Sequence, residues 1–407
     1  MKYRMMCKRV MMAVILRSLA LLGLSASLSP GWAFECGDIL DRGNYKLEQD
    51  VVCAPGDGPA FTLTGEAKLD LSGHAIDCNG TKRDGVLLTG SGDKVFNGVV
   101  RQCDDGVKVA GTGHHLIKQV TSQNNNGDGF ETISDNNRFL ENIARDNKRE
   151  GVNVTGESKE NRFESNEAIA NGRNGFFIEF VSTGAPAPTQ HVLRLNVASA
   201  NGQGGFQIQA NDNLVVRNSA SGNGRQGLKI QGGDNNKLVR NVAFSNCRDG
   251  IEIQDGSNNT IRLNTAEQNG NADACPADTD FRFGKDFRPW FYAGLDTLDN
   301  ADNNLVARNT ANDNLGCWVV PDKRTGPENN PDPDIAWEAC IGFVPTSLDE
   351  AKVALRNRNL WDENTDSKYQ CNSTNEWVNN RADEEKKAAP ECPCVADFGE
   401  ECPLADK

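Results

Sequence analysis

Residues 213–220 read Asn213-Leu214-Val215-Val216-Arg217-Asn218-Ser219-Ala220. The pattern returns as Asn236-Lys237-Leu238-Val239-Arg240-Asn241-Val242-Ala243 and as Asn304-Leu305-Val306-Ala307-Arg308-Asn309-Thr310-Ala311. Upstream of each unit stands a Gly followed by an apolar residue, at Gly85, Gly106, Gly129, Gly151, Gly175, Gly205, Gly227, Gly250 and Gly294. Most of the spacings are 21 to 24 residues; the exceptions are 30 from Gly175 to Gly205 and 44 from Gly250 to Gly294. Gly316 follows at 22 and is in place to open a last coil. After each Gly the residues alternate at period two, as in Val107-Lys108-Val109, Phe206-Gln207-Ile208 and Ile251-Glu252-Ile253. That is a strand signal. A unit of short strands and tight turns closes no core alone, whereas stacked units do. The expected fold is all-β, a solenoid of about ten coils.

The asparagines fall into columns. One runs Asn142, Asn166, Asn196, Asn218, Asn241, Asn264, Asn309; another runs Asn147, Asn171, Asn201, Asn223, Asn246, Asn269, Asn314. At strand spacing of about 4.8 Å, amides in register donate and accept along the column. Asn also tolerates the left-handed backbone that sharp turns use, so these columns are expected at the corners.

Residues 1–33 read as an export signal. Lys2, Arg4, Lys8 and Arg9 precede apolar stretches at 10–16 and 18–24, and Gly31-Trp32-Ala33 offers small residues for cleavage. Losing the segment removes five positive charges, Arg17 included, and takes the formal charge from −14 to −19. So acidic a surface argues against nucleic acid, and against a polyanionic substrate unless a basic patch or a bound cation overrides it. No later stretch is long and apolar enough for a membrane span. Twelve of the 13 cysteines remain after the leader, mostly near the two ends, and an even count after export points to disulfides.

Residues 34–84 are expected to form an N-terminal cap and first coil. Cys36 and Cys53 are placed to staple it, and Cys78 and Cys103 lie about one coil apart. Coils should fill 85–317, with loops at 181–191 and 270–292. Residues 318–407 should form a Cys- and Trp-rich C-terminal cap and tail, with a helix near Ser347–Arg356.

Leu69-Asp70-Leu71-Ser72-Gly73-His74-Ala75-Ile76-Asp77-Cys78 resembles the first-coil motif of NosD-like and carbohydrate-binding β-helices. Over about residues 36–317 the chain resembles the secreted right-handed parallel β-helix superfamily, often called pectin-lyase-like. The resemblance implies a right-handed parallel β-helix and a secreted, periplasmic or cell-surface protein. That superfamily holds polysaccharide lyases, glycoside hydrolases and uronan epimerases beside non-catalytic surface modules. The Asp-Pro-His-Asp motif of alginate epimerases and the Asn-Thr-Asp and Arg-Ile-Lys signatures of polygalacturonases are not found, so the enzyme class stays open.

Period two sets which strand residues face outward. After each Gly one outward column should run Lys108, Glu131, Asn153, Phe177, Gln207, Lys229, Glu252, Asp296. A second should run Ala110, Ile133, Thr155, Glu179, Gln209, Gln231, Gln254, Leu298. Amides and carboxylates around one aromatic make a groove for a saccharide. Opposite charges that simply pair, such as Lys229 with Glu252, make an ordinary solvated face. The long loop carries Arg288 and Tyr292 to the border of this strip. Glu252 and Asp296 fall in adjacent coils, where neighbouring carboxylates push their proton affinities apart. Such a pair suits glycoside cleavage, or Ca²⁺ as its one plausible ion. A lyase or epimerase would need a base, with Lys229, Arg288, His191 and Tyr292 nearest. The catalytic candidates are therefore Glu252, Asp296 and Lys229. Those for substrate binding are Glu131, Phe177, Gln207, Arg288 and Tyr292. No resident metal is assigned, and the expected partner is an extracellular polysaccharide. The competing expectation is a non-catalytic β-helix module of the surface, matrix or periplasm.

Overall fold

The computed structural model describes residues 34–179, 190–270, 294–298, 303–312, 360–362, 376–378 and 381–382. Every regular element among them is a short strand, and every pairing is parallel. The strands form three sheets. Sheet 1 stacks twelve, from Asp38–Asp41 through Phe61–Thr64, Val86–Leu88 and Val107–Val109 to Leu295–Leu298 and Leu360–Asp362. Sheets 2 and 3 follow in each coil, as Arg138–Leu140 and Ile143–Arg145 follow Phe130–Thr132. Lys94–Arg101 and Leu116–Gln123 run unbroken from sheet 2 into sheet 3. The nine glycine-led coils are thus extended by two levels before Gly85 and one from 360–382. The chain is a parallel β-helix.

The column glycines are set by close approach. A methyl group at Gly205 would lie 2.6 Å from Gly227 O, 2.8 Å from Ala220 Cβ and 2.9 Å from Asn223 Nδ2. The Ala220 contact belongs to an alanine column lining sheet 3, Ala144, Ala168, Ala198, Ala220, Ala243 and Ala266. Sheet 3 therefore packs tightly on the corner, and the larger side chains fill the rest of the core. Phe139 stacks on Phe163 and Phe176 on Phe206, each with centroids 4.8 Å apart, the coil spacing expected for stacked strands.

Each corner carries a buried ladder. In the first expected column, Asn166 Oδ1 accepts from both the backbone N–H and Nδ2 of Asn142 (3.0 and 2.9 Å), while Asn142 Nδ2 also donates to Ile117 O (2.9 Å). The unit repeats through Asn196, Asn218, Asn241, Asn264 and Asn309. The second column does the same from Asn125 through Asn269; Asn314 lies outside the described residues. In these two columns each interior amide uses its oxygen and its nitrogen, which is how a polar core is tolerated. A third ladder turns sheet 1 into sheet 2: Asp93, His115, Asn137, Asn161, His191, Asn213, Asn236, Asn259, Asn304.

The left-handed backbone is not where the Asn columns suggest. In all three ladders the residue before the ladder member has positive φ: Glu141, Ser165, Leu195 and Arg217 before one, Asp146 and Ala170 before another, Glu160 and Gln190 before the third. The ladder amide holds the turn, and the strained residue beside it can be of almost any type.

Cys36–Cys53 and Cys78–Cys103 are disulfides, as the spacing anticipates. Cys247 is disulfide-bonded too. Among the described residues no helix is long and apolar enough to cross a membrane. The expected helix at Ser347–Arg356 and most of both loops lie outside the described residues.

Candidate functional site

The first outward column of sheet 1 holds without a break. Lys108 pairs in register with Glu131, and Glu131 with Asn153. Phe177, Gln207 and Lys229 follow. Glu252 and Asp296 come next, and Trp361 stands in register beyond. Six of the eight candidate residues therefore share one line. Arg288 and Tyr292 lie outside the described residues. His191 sits in the corner ladder, with Nδ1 accepting from the Asn161 N–H. Burial pushes its imidazole down to about 4, and a ring committed to the backbone this way is not a base for the strip.

At the downstream end Glu252 is buried, and both carboxylate oxygens have partners. Lys229 Nζ lies 2.7 Å from Oε1, and Gln226 donates to Oε2. Lys229 also donates to Gln254 Oε1 at 2.6 Å. Gln207 and Gln209 both donate to Gln231 Oε1, at 3.0 and 3.2 Å. Asp296 is one coil beyond Glu252 in register. Among the described residues no three His, Cys, Asp or Glu side chains converge as a metal site.

At the upstream end the same Lys–Glu arrangement recurs. Lys108 Nζ contacts Glu131 Oε2 and lies 3.5 Å from Asp105 Oδ2. Here the flanking row is acidic. It comes from the residue just before each column glycine: Asp84, Asp105, Asp128 and Glu150. Asp105 Oδ1 accepts from the Asp128 N–H at 2.8 Å, and Asp128 Oδ1 from the Glu150 N–H at 3.0 Å. Asn153 Nδ2 donates to Asp128 Oδ2 at 2.8 Å. Arg149 Nε lies 3.9 Å from Asp128 Oδ1 and 3.7 Å from Glu150 Oε2. Burial pushes the Asp128 carboxyl up to about 7, with Glu150 and Asp105 adding to it and the Asn153 hydrogen bond opposing. Burial raises Glu131 as well, and the Asp105 charge adds while Lys108 opposes. Asp84 is raised by burial and by the Asp105 charge. Perturbed carboxyls gathered on one face make it a candidate functional site.

The acidic row was absent from the sequence candidates. Its signal is the run of polar residues before the column glycines, Asp84, Asp105, Asp128, Glu150, Asn174, Gln226 and Asp249, which at single positions reads only as turn chemistry.

The family model described as a right-handed beta helix region matches residues 84–219 and 187–330. Among solved structures, the A-module of a mannuronan C-5 epimerase from Azotobacter vinelandii superposes with a TM-score of 0.56 at 17% identity, over 68% of this chain and 82% of that one. The Dettilon tailspike protein superposes with a TM-score of 0.53 at 15% identity, over 67% of this chain and 57% of that one. These likenesses are of fold. No curated protein matches in sequence.

Proposed function

The chain belongs to the right-handed β-helix family, and from that premise we propose that it is an exported carbohydrate-active protein whose outward strip on sheet 1 binds an extracellular polysaccharide and cleaves or epimerises it. The observation that carries the reading is the unbroken register of the strip. It sets Phe177 between Asn153 and Gln207, with Gln209 and Gln231 beside them. A half-buried aromatic flanked by amides offers a stacking face and hydroxyl partners, the composition of a polar-ligand groove. One side chain per coil, at about 4.8 Å, gives a repeating polymer repeating contacts. Glu131 and Gln207 are assigned to substrate binding with Phe177, and the Glu252, Lys229 and Asp296 end is one candidate for the chemistry. Arg288 and Tyr292 are assigned to the wall supplied by the long loop. Two disulfides in the first four coils support export, because such bonds persist in oxidising compartments.

The test is binding of a panel of soluble polysaccharides to the intact protein by calorimetry. At least one polymer should bind, and Phe177→Ala should weaken it about five- to tenfold, the value of one aromatic contact. Retention of no polymer, or undiminished binding by the variant, overturns the reading.

A second reading is a rigid, non-catalytic module. It is favoured by Glu252, whose oxygens are already paired to Lys229 and Gln226. Concentration-dependent assembly with no polymer binding would select it.

A further inference from the structure

We propose that the upstream half of sheet 2 is a second binding face, which holds a linear acidic polysaccharide through a column of cations. It lies on a different sheet from the strip described above, and neither reading depends on the other.

Register builds the column. Lys68 pairs with Lys94, Lys94 with Leu116, Leu116 with Arg138, and Arg138 with Arg162. Between these residues and the next outward position each strand turns one side chain into the core: Leu69, Val95, Ile117, Phe139 and Phe163. The next outward position makes a parallel column, Asp70, Phe96, Lys118, Leu140 and Glu164. Every coil from Lys68 to Arg162 therefore presents a cation on this face, over four steps of about 4.8 Å. Five cations and two acids share these columns, in a chain of formal charge −14. Downstream the first column turns to Val192 and Leu214, which bounds the face.

Elsewhere the protein pairs its cations across coils. Lys108 has Glu131 and Lys229 has Glu252 on sheet 1, while on sheet 2 Lys118 has Glu141 and Arg194 has Glu164. Lys68, Lys94, Arg138 and Arg162 make no ion pair among the described residues. Asp70 Oδ1 is committed elsewhere, accepting from the Ser72 N–H at 2.8 Å and from Asn97 Nδ2 at 3.3 Å. Like charges directly opposite one another destabilise a sheet. Lys68 with Lys94 and Arg138 with Arg162 are two such pairs, and an anion seated on each removes the repulsion.

The shape of the face selects the anion. It is two side chains wide, and its borders are acidic: Glu66 and Glu160 on the turn from sheet 1, Glu141 on the turn into sheet 3. A bilayer or a duplex would press its charge against those glutamates, whereas a single polymer chain lies along the column between them. Phe96, Leu116 and Leu140, all half-buried, stand among the cations. They offer an apolar bed to the C–H faces of sugar rings, while carboxylate or sulfate groups meet the lysines and the arginine forks. One aromatic provides no series on which successive bases could stack, which sets single-stranded nucleic acid aside.

The intact protein is titrated calorimetrically with polygalacturonate, dextran sulfate and neutral dextran of matched length. Both acidic polymers should bind, and more weakly as salt is raised, because the cations are exposed to screening. Arg138→Gln should weaken each about fivefold, and Lys68→Gln, Lys94→Gln, Arg138→Gln and Arg162→Gln combined about a hundredfold. Any binding of dextran should be indifferent to these changes. An unchanged urea midpoint shows that the quadruple variant is folded. Lys237→Gln, in the same column beyond Leu214, should bind as the native protein does. No binding of either acidic polymer, or a comparable loss in Lys237→Gln, overturns this face and leaves the sheet 1 strip standing. Acidic-polymer binding that Phe177→Ala abolishes and the quadruple variant keeps would carry that ligand to sheet 1 and overturn it too. Tighter binding of single-stranded poly(dT) than of both polysaccharides overturns the choice of ligand.

Discussion

Lys108–Glu131 and Lys229–Glu252 are the same device built twice on one sheet. Each lysine reaches the glutamate one coil on, in the same outward column. Their neighbours differ. The upstream pair is flanked by Asp84, Asp105, Asp128 and Glu150, and the downstream pair by Gln226, Gln231 and Gln254 with a single acid, Asp249, in the same row. Amides satisfy the downstream carboxylate and close it off, leaving the Glu252 side chain 3% exposed against 15% for Glu131. Acids upstream compete for too few cations and hold protons to higher pH. A solenoid repeats its backbone, so the two pairs differ only through the side chains stacked around them.

The sharpest way to break this comparison is to neutralise each glutamate in turn. Glu131→Gln removes the more exposed of the two carboxylates and should weaken polymer binding about twentyfold, the scale of a lost charge-assisted contact. Glu252→Gln should cost less than about tenfold, through a loosened Lys229 and weaker polymer binding. Calorimetric titration of both variants with one polymer decides it. A reversed order would place the main polymer contact at the Glu252 and Asp296 end.

The two ends cooperate only while the coils between them stay in register. Asn196 lies in that span. Its Oδ1 accepts from Asn166 N–H and Nδ2 (2.9 and 3.0 Å), and its Nδ2 donates to Phe163 O and Asn218 Oδ1 (2.9 and 3.0 Å). Asn196→Ala strands buried donors and acceptors on both sides and should cost about 3 kcal/mol. Urea unfolding measures the loss. A cost near zero would mean the strands alone hold the register.

Most of the fold was legible because a repeat multiplies weak signals. Period two and the glycine spacing were enough to place Lys108 through Asp296 on one line. Two of the three ladders were visible as Asn columns. The third was not, because Asp93, His115 and His191 interrupt it, although each imidazole presents an acceptor where Asn would. The turn strain was misplaced by one residue for a related reason. Leu195 or Arg217 at positive φ leaves no compositional trace when the neighbouring amide stabilises the corner. The acidic row was hidden because Asp before Gly reads as a turn until its members are stacked.

The smallest expected effect tests the difference between the two ends through pH. Asp128 titrates near 7 in the folded chain against about 3.9 unfolded. Between those values the native state keeps a proton that the unfolded chain has lost, so this group makes stability fall as pH rises through the window. Below it both states are protonated and the contribution vanishes; above it the buried charge costs its full amount. His191, held near 4 against about 6.5 unfolded, works the other way and lends stability that is lost as pH falls from 6.5 toward 4. Comparing Asp128→Asn with the native protein cancels the histidine. The amide oxygen still accepts from the Glu150 N–H, its Nδ2 can donate to Asn153 Oδ1 once that amide turns over, and the group cannot ionise. The variant should gain roughly 2 kcal/mol at pH 8 and nothing at pH 4, read from denaturant midpoints at the two values. An equal difference at both would mean that Asp128 is ionised throughout, and the contrast between an acid-flanked and an amide-flanked pair would then be one of access alone.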